Sequence, residues 1–146
     1  MNISHFKVYN KQDILSLTRL RRFETKFGER VHHLVDGQVS ENLNNLPCKY
    51  VVFGIPEDIG VQANYGSPGT SSAWISFLQS FLNIQSNDFL SGEEIAVIGH
   101  FDFTEIQQVI DKNAHNQEEK VEAYRHAVNA IDEEVESLTK TIVAAG

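Results

Sequence analysis

The chain has 146 residues and a mass of 16.5 kDa, with 41% hydrophobic and 22% charged side chains, which suits one ordinary domain or a piece of a larger one and excludes a disordered or fibrous composition. A formal charge of −8 and a pI near 5.1 speak against nucleic acid as a partner, because phosphate binding needs concentrated Lys and Arg. The single cysteine, Cys48, excludes an internal disulfide framework, and no stretch approaches the roughly 20 apolar residues of a membrane span, so a cytoplasmic protein without a membrane partner is expected.

Residues 1–48 carry seven basic and five acidic side chains, whereas 49–114 carry two and eight and 115–146 carry three and seven. With no repeat, low-complexity tract or linker, residues 1–146 read as one domain. Residues 1–48 form an irregular amino-terminal segment, with a short helix within Asp13 to Val31 and a loop at Ser40 to Asn45. Lys49 to Ile55 is a short apolar and β-branched run without alternation, the pattern of a central parallel strand buried on both faces. Pro56 to Gly69 is rich in glycine and proline and reads as a long loop at the strand's carboxyl end. Thr70, Ser71 and Ser72 are candidate N-caps for a helix whose apolar stripe is Trp74, Phe77, Leu78, Phe81 and Leu82, all assigned to core. Glu94 to Gly99 is a second buried strand, followed by a helical pattern from Thr104 through Ile106, Val109 and Ile110. Val121, Tyr124, Val128, Ile131, Val135, Leu138 and Ile142 then step by three and four, the seam of a long helix that packs on the chain's own sheet or against a partner. The βαβα order of 49–146 predicts an α/β fold with a parallel sheet.

The strongest local constellation is the loop from Gly54 to Gly69, because open α/β sheets bind ligands beyond the carboxyl ends of their strands. An anion could be held at the helix start near Thr70, yet no dinucleotide or P-loop pattern is present, and Glu57 and Asp58 would repel phosphate. Glu57 and Asp58 read either as an acid/base pair or as turn carboxylates bonding nearby amides. His100 and Asp102 alternate after the second strand and suit either a metal-ligand pair or a histidine bonded to backbone. The other histidine pairs lack helical ligand spacing, and Cys48 reads as a small half-buried side chain, so the residues themselves assign no catalytic or metal-binding side chain.

Tyr50-Val51-Val52-Phe53-Gly54-Ile55-Pro56-Glu57-Asp58-Ile59-Gly60-Val61-Gln62-Ala63-Asn64-Tyr65-Gly66, followed by Gly69-Thr70, Ala73-Trp74 and Phe81-Leu82-Asn83-Ile84-Gln85, resembles the amino-terminal part of the ureohydrolases, the family of arginase, agmatinase and formimidoylglutamase. The Gly-Ile-Pro-x-Asp-x-Gly opening and the Asn-x-Gly-x-x-Gly loop are most similar to its formimidoylglutamase-like bacterial branch. The resemblance is strongest over 49–103. It implies a three-layer αβα sandwich and hydrolysis of a guanidino or formimino C–N bond by hydroxide bridging two manganese ions. The family's Gly-Gly-x-His, Asp-x-His-x-Asp and Asp-x-Asp ligand segments do not occur in this sequence, so no family metal ligand carries over.

The expectation is therefore an arginase-like sandwich truncated before its metal-site strands, inactive alone and without a cofactor of its own. Glu57, Asp58, Gln62, Asn64 and Tyr65 match the loop near the family's substrate mouth, and Asn64 and Gln62 are the expected contacts with a small guanidino or formimino substrate. Ser67-Pro68-Gly69-Thr70 departs from the arginase and agmatinase pattern and leaves the substrate class open. The alternatives are a nonenzymatic interaction module, self-associating through the 121–142 seam or its sheet edges, and a small anion-binding α/β domain.

Overall fold

The computed structural model describes residues 3–35 and 39–146. Strand β1 (Phe6–Val8) leads into α1 (Lys11–Ser16), α2 (Phe27–Arg30) and α3 (Val39–Leu43), then β2 (Tyr50–Gly54) and α4 (Ile59–Ala63). A 3-10 turn (Thr70–Ser72) opens α5 (Ala73–Phe81), and β3 (Ile95–Phe101), α6 (Thr104–Asn113) and α7 (Gln117–Ala144) complete the order. The fold is mixed α/β around a three-stranded sheet of order β1-β3-β2.

Three expectations are corrected here. The sheet is mixed, since β2 runs parallel to β3 but β1 runs antiparallel to it. The central strand is β3, buried along almost its whole length, whereas β2 is paired on one side only and is half-buried. The first 48 residues are more ordered than their composition suggests: they supply β1 and three short helices, and α3 covers part of the Ser40 to Asn45 stretch read as loop. Local capping explains α1, where Asn10 accepts from the Asp13 amide at 3.0 Å and Asp13 accepts from the Asn10 amide at 2.8 Å.

Helices cover both faces of the sheet, and alternation along the strands sorts side chains between them. Ala96 and Ile98 of β3 join Ile59 and Ala63 of α4 and Tyr124, Ile131 and Leu138 of α7 on one face. Ile95 and Val97 join Ile14, Phe27, Leu78 and Leu82 on the other. The pairing of β2 with β3 shifts by one residue after Val52, which lies opposite Val97, so that Phe53 lies opposite Gly99.

All seven apolar positions of the α7 seam are buried or half-buried within the chain, and six of them pack in the cluster that holds Ala96 and Ile98 of β3, so the seam is internal. Each fully buried leucine or isoleucine there contributes about 1.5–3 kcal/mol of transfer free energy. Asn116 starts the helix by accepting from the Glu119 amide at 2.9 Å, and Gly146 follows its end with a positive φ of 123°. The amino-terminal segment is tied to α7 by His5, whose Nδ1 and backbone N–H both meet the Glu134 carboxylate, at 2.5 and 3.1 Å. No helix among the described residues is long and apolar enough to cross a membrane.

Candidate functional site

At the carboxyl end of β2 the chain turns through Pro56 and Glu57 into the short helix α4. Gly54 is needed there because a β-carbon would lie 2.3 Å from the Trp74 ring, which closes over the strand end. Glu57 caps α4 from outside by accepting the Gly60 amide at 2.7 Å. Asp58 reaches across the loop instead. One carboxylate oxygen accepts the amides of Gly69, Thr70 and Ser71 at 2.8, 2.7 and 3.3 Å and the Thr70 hydroxyl at 2.7 Å, while the other accepts the Ser71 hydroxyl at 2.7 Å.

This geometry answers two questions that the sequence left open. Glu57 and Asp58 are turn carboxylates with separate partners, not an acid/base pair. The amides at the start of the 3-10 turn, the place for an external anion, are occupied by the protein's own Asp58. Burial works to raise the Asp58 pKa, but the bonds from Ser71, Thr70 and Gly69 outweigh it and hold the carboxyl well below the ordinary carboxylate range. Ser72 occupies the N-cap position of α5 without a side-chain cap bond and donates its hydroxyl to the Gly69 carbonyl at 3.0 Å, while Thr70 and Ser71, also expected as caps, serve the Asp58 lock.

The end of α4 closes in a Schellman-type turn, with the Gly66 amide bonded to Val61 at 2.8 Å and the Tyr65 amide to Gln62 at 3.1 Å. Tyr65 takes the left-handed position there, at φ 60°, with the Arg125 guanidinium 5.7 Å from its ring centroid; the same Arg125 donates to the Ala63 carbonyl at 3.1 Å. Asn64 is exposed at this helix end. Gln62 is half-buried, donates to the Asp58 carbonyl at 3.3 Å and lies beside the Tyr124 hydroxyl. The two expected substrate contacts, one in α4 and one at its C-cap, therefore face different surroundings.

A cleft of about 320 Å3 opens beside the lock, lined by Glu57, Ser71, Thr104, Gln107, Gln108 and Asp111 among others. Neither Gln62 nor Asn64 lines it. Gln107 and Gln108 escaped the sequence reading, although their place on the helix that follows β3 was a usable signal. Asp111 accepts a short hydrogen bond from the Tyr124 hydroxyl and pairs with Lys120 at 3.0 Å. Burial, followed by the neighbouring Asp111, pushes the Tyr124 phenol pKa up.

His100 and Asp102 do not act as a pair. His100 Nδ1 lies 2.6 Å from the Tyr9 hydroxyl, whereas Asp102 binds Lys7 and accepts the Thr104 amide at 3.1 Å, at the first residue of α6. Burial first, and then Lys7, lower the His100 pKa against the opposing effect of Asp102. The Lys7 and Thr104 bonds hold the Asp102 carboxyl well below its ordinary range. Trp74, expected in the core, is half-buried with its indole N–H on Tyr9, and Phe77 is 42% exposed. Cys48 is a free, half-buried thiol whose pKa is raised by burial.

Two manganese ions would need clustered carboxylates and imidazoles. Among the described residues no group of three or more His, Cys, Asp or Glu side chains is placed to hold a metal ion, and His100, Asp102 and Asp58 are each engaged elsewhere. The residues present do not fit such a centre. The chain matches no protein-family model, no curated protein and no solved structure.

Proposed function

We propose that the chain is the amino-terminal part of a ureohydrolase-type enzyme that hydrolyses a guanidino or formimino C–N bond, and that its share of the site is the loop from Gly54 to Thr70. The observation that carries this reading is the Asp58 lock, which gathers Gly69, Thr70 and Ser71 onto the end of β2. Gly54, Asp58, Gly69 and Thr70, which build this pinned loop together with Ser71, are among the residues that carry the family resemblance. An arginase-like αβα sandwich, as the finer description of the fold, rests on the same resemblance.

In this reading Asn64 and Gln62 contact the substrate, Asn64 being the more open of the two. Carboxamide oxygens suit the N–H groups of a guanidino or formimino unit, and the acidic lining of the neighbouring cleft suits its positive charge. The metal-bound hydroxide of the family mechanism belongs to residues outside these 146, and the chain alone is inactive. Copies that associate do so through a surface other than the α7 seam, which is buried within the chain's own core.

The test is the intact mass of the protein from its natural source, followed by an assay at that length for manganese-dependent release of formamide or urea from formimino and guanidino compounds. The expected result is a mass well above 16.5 kDa, hydrolysis of one substrate class, and a several-fold rise in KM for Asn64→Ala. A mass of 16.5 kDa without hydrolysis overturns the reading.

A further inference from the structure

Tyr9, Trp74 and His100 come from three separate parts of the chain and meet in a hydrogen-bonded series independent of any hydrolytic role. The Trp74 indole N–H donates to the Tyr9 hydroxyl oxygen at 2.9 Å, and that oxygen lies 2.6 Å from Nδ1 of His100. An indole nitrogen can only donate, and a phenol has one proton and acceptor lone pairs. The arrangement that uses every group therefore has Tyr9 accept from Trp74 and donate to His100 Nδ1. His100 is then neutral, with its proton on Nε2. Protonation would place a second N–H against the same phenol oxygen and leave the phenol proton without its acceptor.

The series links the end of β1, helix α5 and strand β3 through side chains. Tyr9 directly follows β1 and anchors it through its own amide on the Ile98 carbonyl at 3.0 Å. Trp74 sits on α5 and covers Gly54, where the pinned loop begins. His100 lies on β3, opposite Lys7 of β1 on one side and Gly54 of β2 on the other.

We propose that Trp74, Tyr9 and His100 form a proton-sensitive clasp, closed by neutral His100 and opened by its protonation, which ties strand β1 to the α5 layer. The charged groups around it are Lys7 from β1, Asp102 beyond the end of β3, and Asp13 of α1, which acts on Tyr9; α5 contributes no charged side chain. Lys7 and Asp102 are paired with each other, so their opposing effects on His100 partly cancel and burial dominates. The sign follows from the lowered pKa of His100 in the folded chain. The clasp's contribution is fully present above the ordinary histidine value of about 6.5 and is lost as pH falls from there through the lower native value.

Trp74 is the only tryptophan, so its emission reports the clasp directly. Emission titrated from about pH 7.5 to about 4.5 is expected to show one transition, absent in Tyr9→Phe and in His100→Gln, whose amide accepts from Tyr9 but does not titrate. Nitrogen-15 shifts of His100 in the unaltered protein are expected to show the Nε2–H form at neutral pH, a readout that needs no variant to fold. A flat titration, a transition that persists unchanged in His100→Gln, or an Nδ1–H imidazole would each overturn the proposal.

Discussion

On the α7 side of the sheet, one 28-residue helix packs against α3, α4 and α6 and shares a core with β3, and Ile98, Phe101, Tyr124 and Leu138 are almost completely buried. On the α5 side a nine-residue helix, α1 and α2 do the same work, and the layer thins at its edge into the Trp74, Phe77 and Phe81 stack. The first face is closed by one long amphipathic element and the second by several short pieces held with polar contacts. The larger apolar cluster thus forms a continuous core on one side, and the smaller leaves a partly open aromatic surface on the other.

Leu138 and Leu78 put this contrast to the strongest test, because both are fully buried and they lie on opposite faces. Leu138→Ala is expected to cost about 3–5 kcal/mol and Leu78→Ala about 2–3 kcal/mol in urea denaturation, since the thinner layer can collapse into the space left. A reversed order would break the comparison. The double variant should be additive within about 0.5 kcal/mol, as expected of sites separated by the sheet. Asp58→Asn comes next, with an expected loss of about 2 kcal/mol, because it removes a charged acceptor from amides and hydroxyls that lose their partner. The lowered Asp58 pKa means that its stabilisation is complete above the ordinary carboxylate range and is lost as pH falls below about 4. Thermal melts of Asp58→Asn and the unaltered protein should therefore converge toward acid. Tyr124→Phe, which removes the bond to Asp111, is expected to cost about 1 kcal/mol by the same denaturation measurement. Phe77→Ala, at the open edge, should stay within about 0.5 kcal/mol of the unaltered protein; a loss of about 2 kcal/mol would mean that the stack is core after all.

The elements legible in the sequence were those with long or strong periodicity: α7 from its three-and-four stepping, α5 from its stripe, and β3 from an unbroken apolar run. β1 was missed because three residues centred on Lys7 carry no usable pattern; its ordering comes from its antiparallel pairing with β3, from the Lys7 side chain on Asp102, and from the flanking His5 and Tyr9 on Glu134 and His100. The edge position of β2 was hidden for a different reason: an apolar run states that a strand is covered, not which neighbours flank it. Within the site, the glycine- and proline-rich stretch was visible but read as loop throughout, so the short helix α4 inside it was missed, and the Asp58 lock joins residues 11 to 13 positions apart through side-chain geometry that spacing alone does not encode. The Tyr9 contacts with Trp74 and His100 span 65 and 91 positions and were out of reach for the same reason.

The register shift in β3 reverses which parity of residue belongs to which layer. Before Gly99 the even positions, Ala96 and Ile98, face α7; beyond it the odd positions, Phe101 and Phe103, do. Gly99 makes the change of phase possible, since it sits at φ 147° and a β-carbon there would meet the Lys7 carbonyl oxygen at 2.0 Å. An uninterrupted strand would send the His100 imidazole into the apolar α7 layer and turn the Phe101 ring out toward Tyr9. One backbone irregularity thus puts a titratable ring on the open side and an aromatic hydrocarbon on the closed side. Insertion or deletion of a single residue at that point would exchange a proton-responsive strand end for a buried, unpaired imidazole.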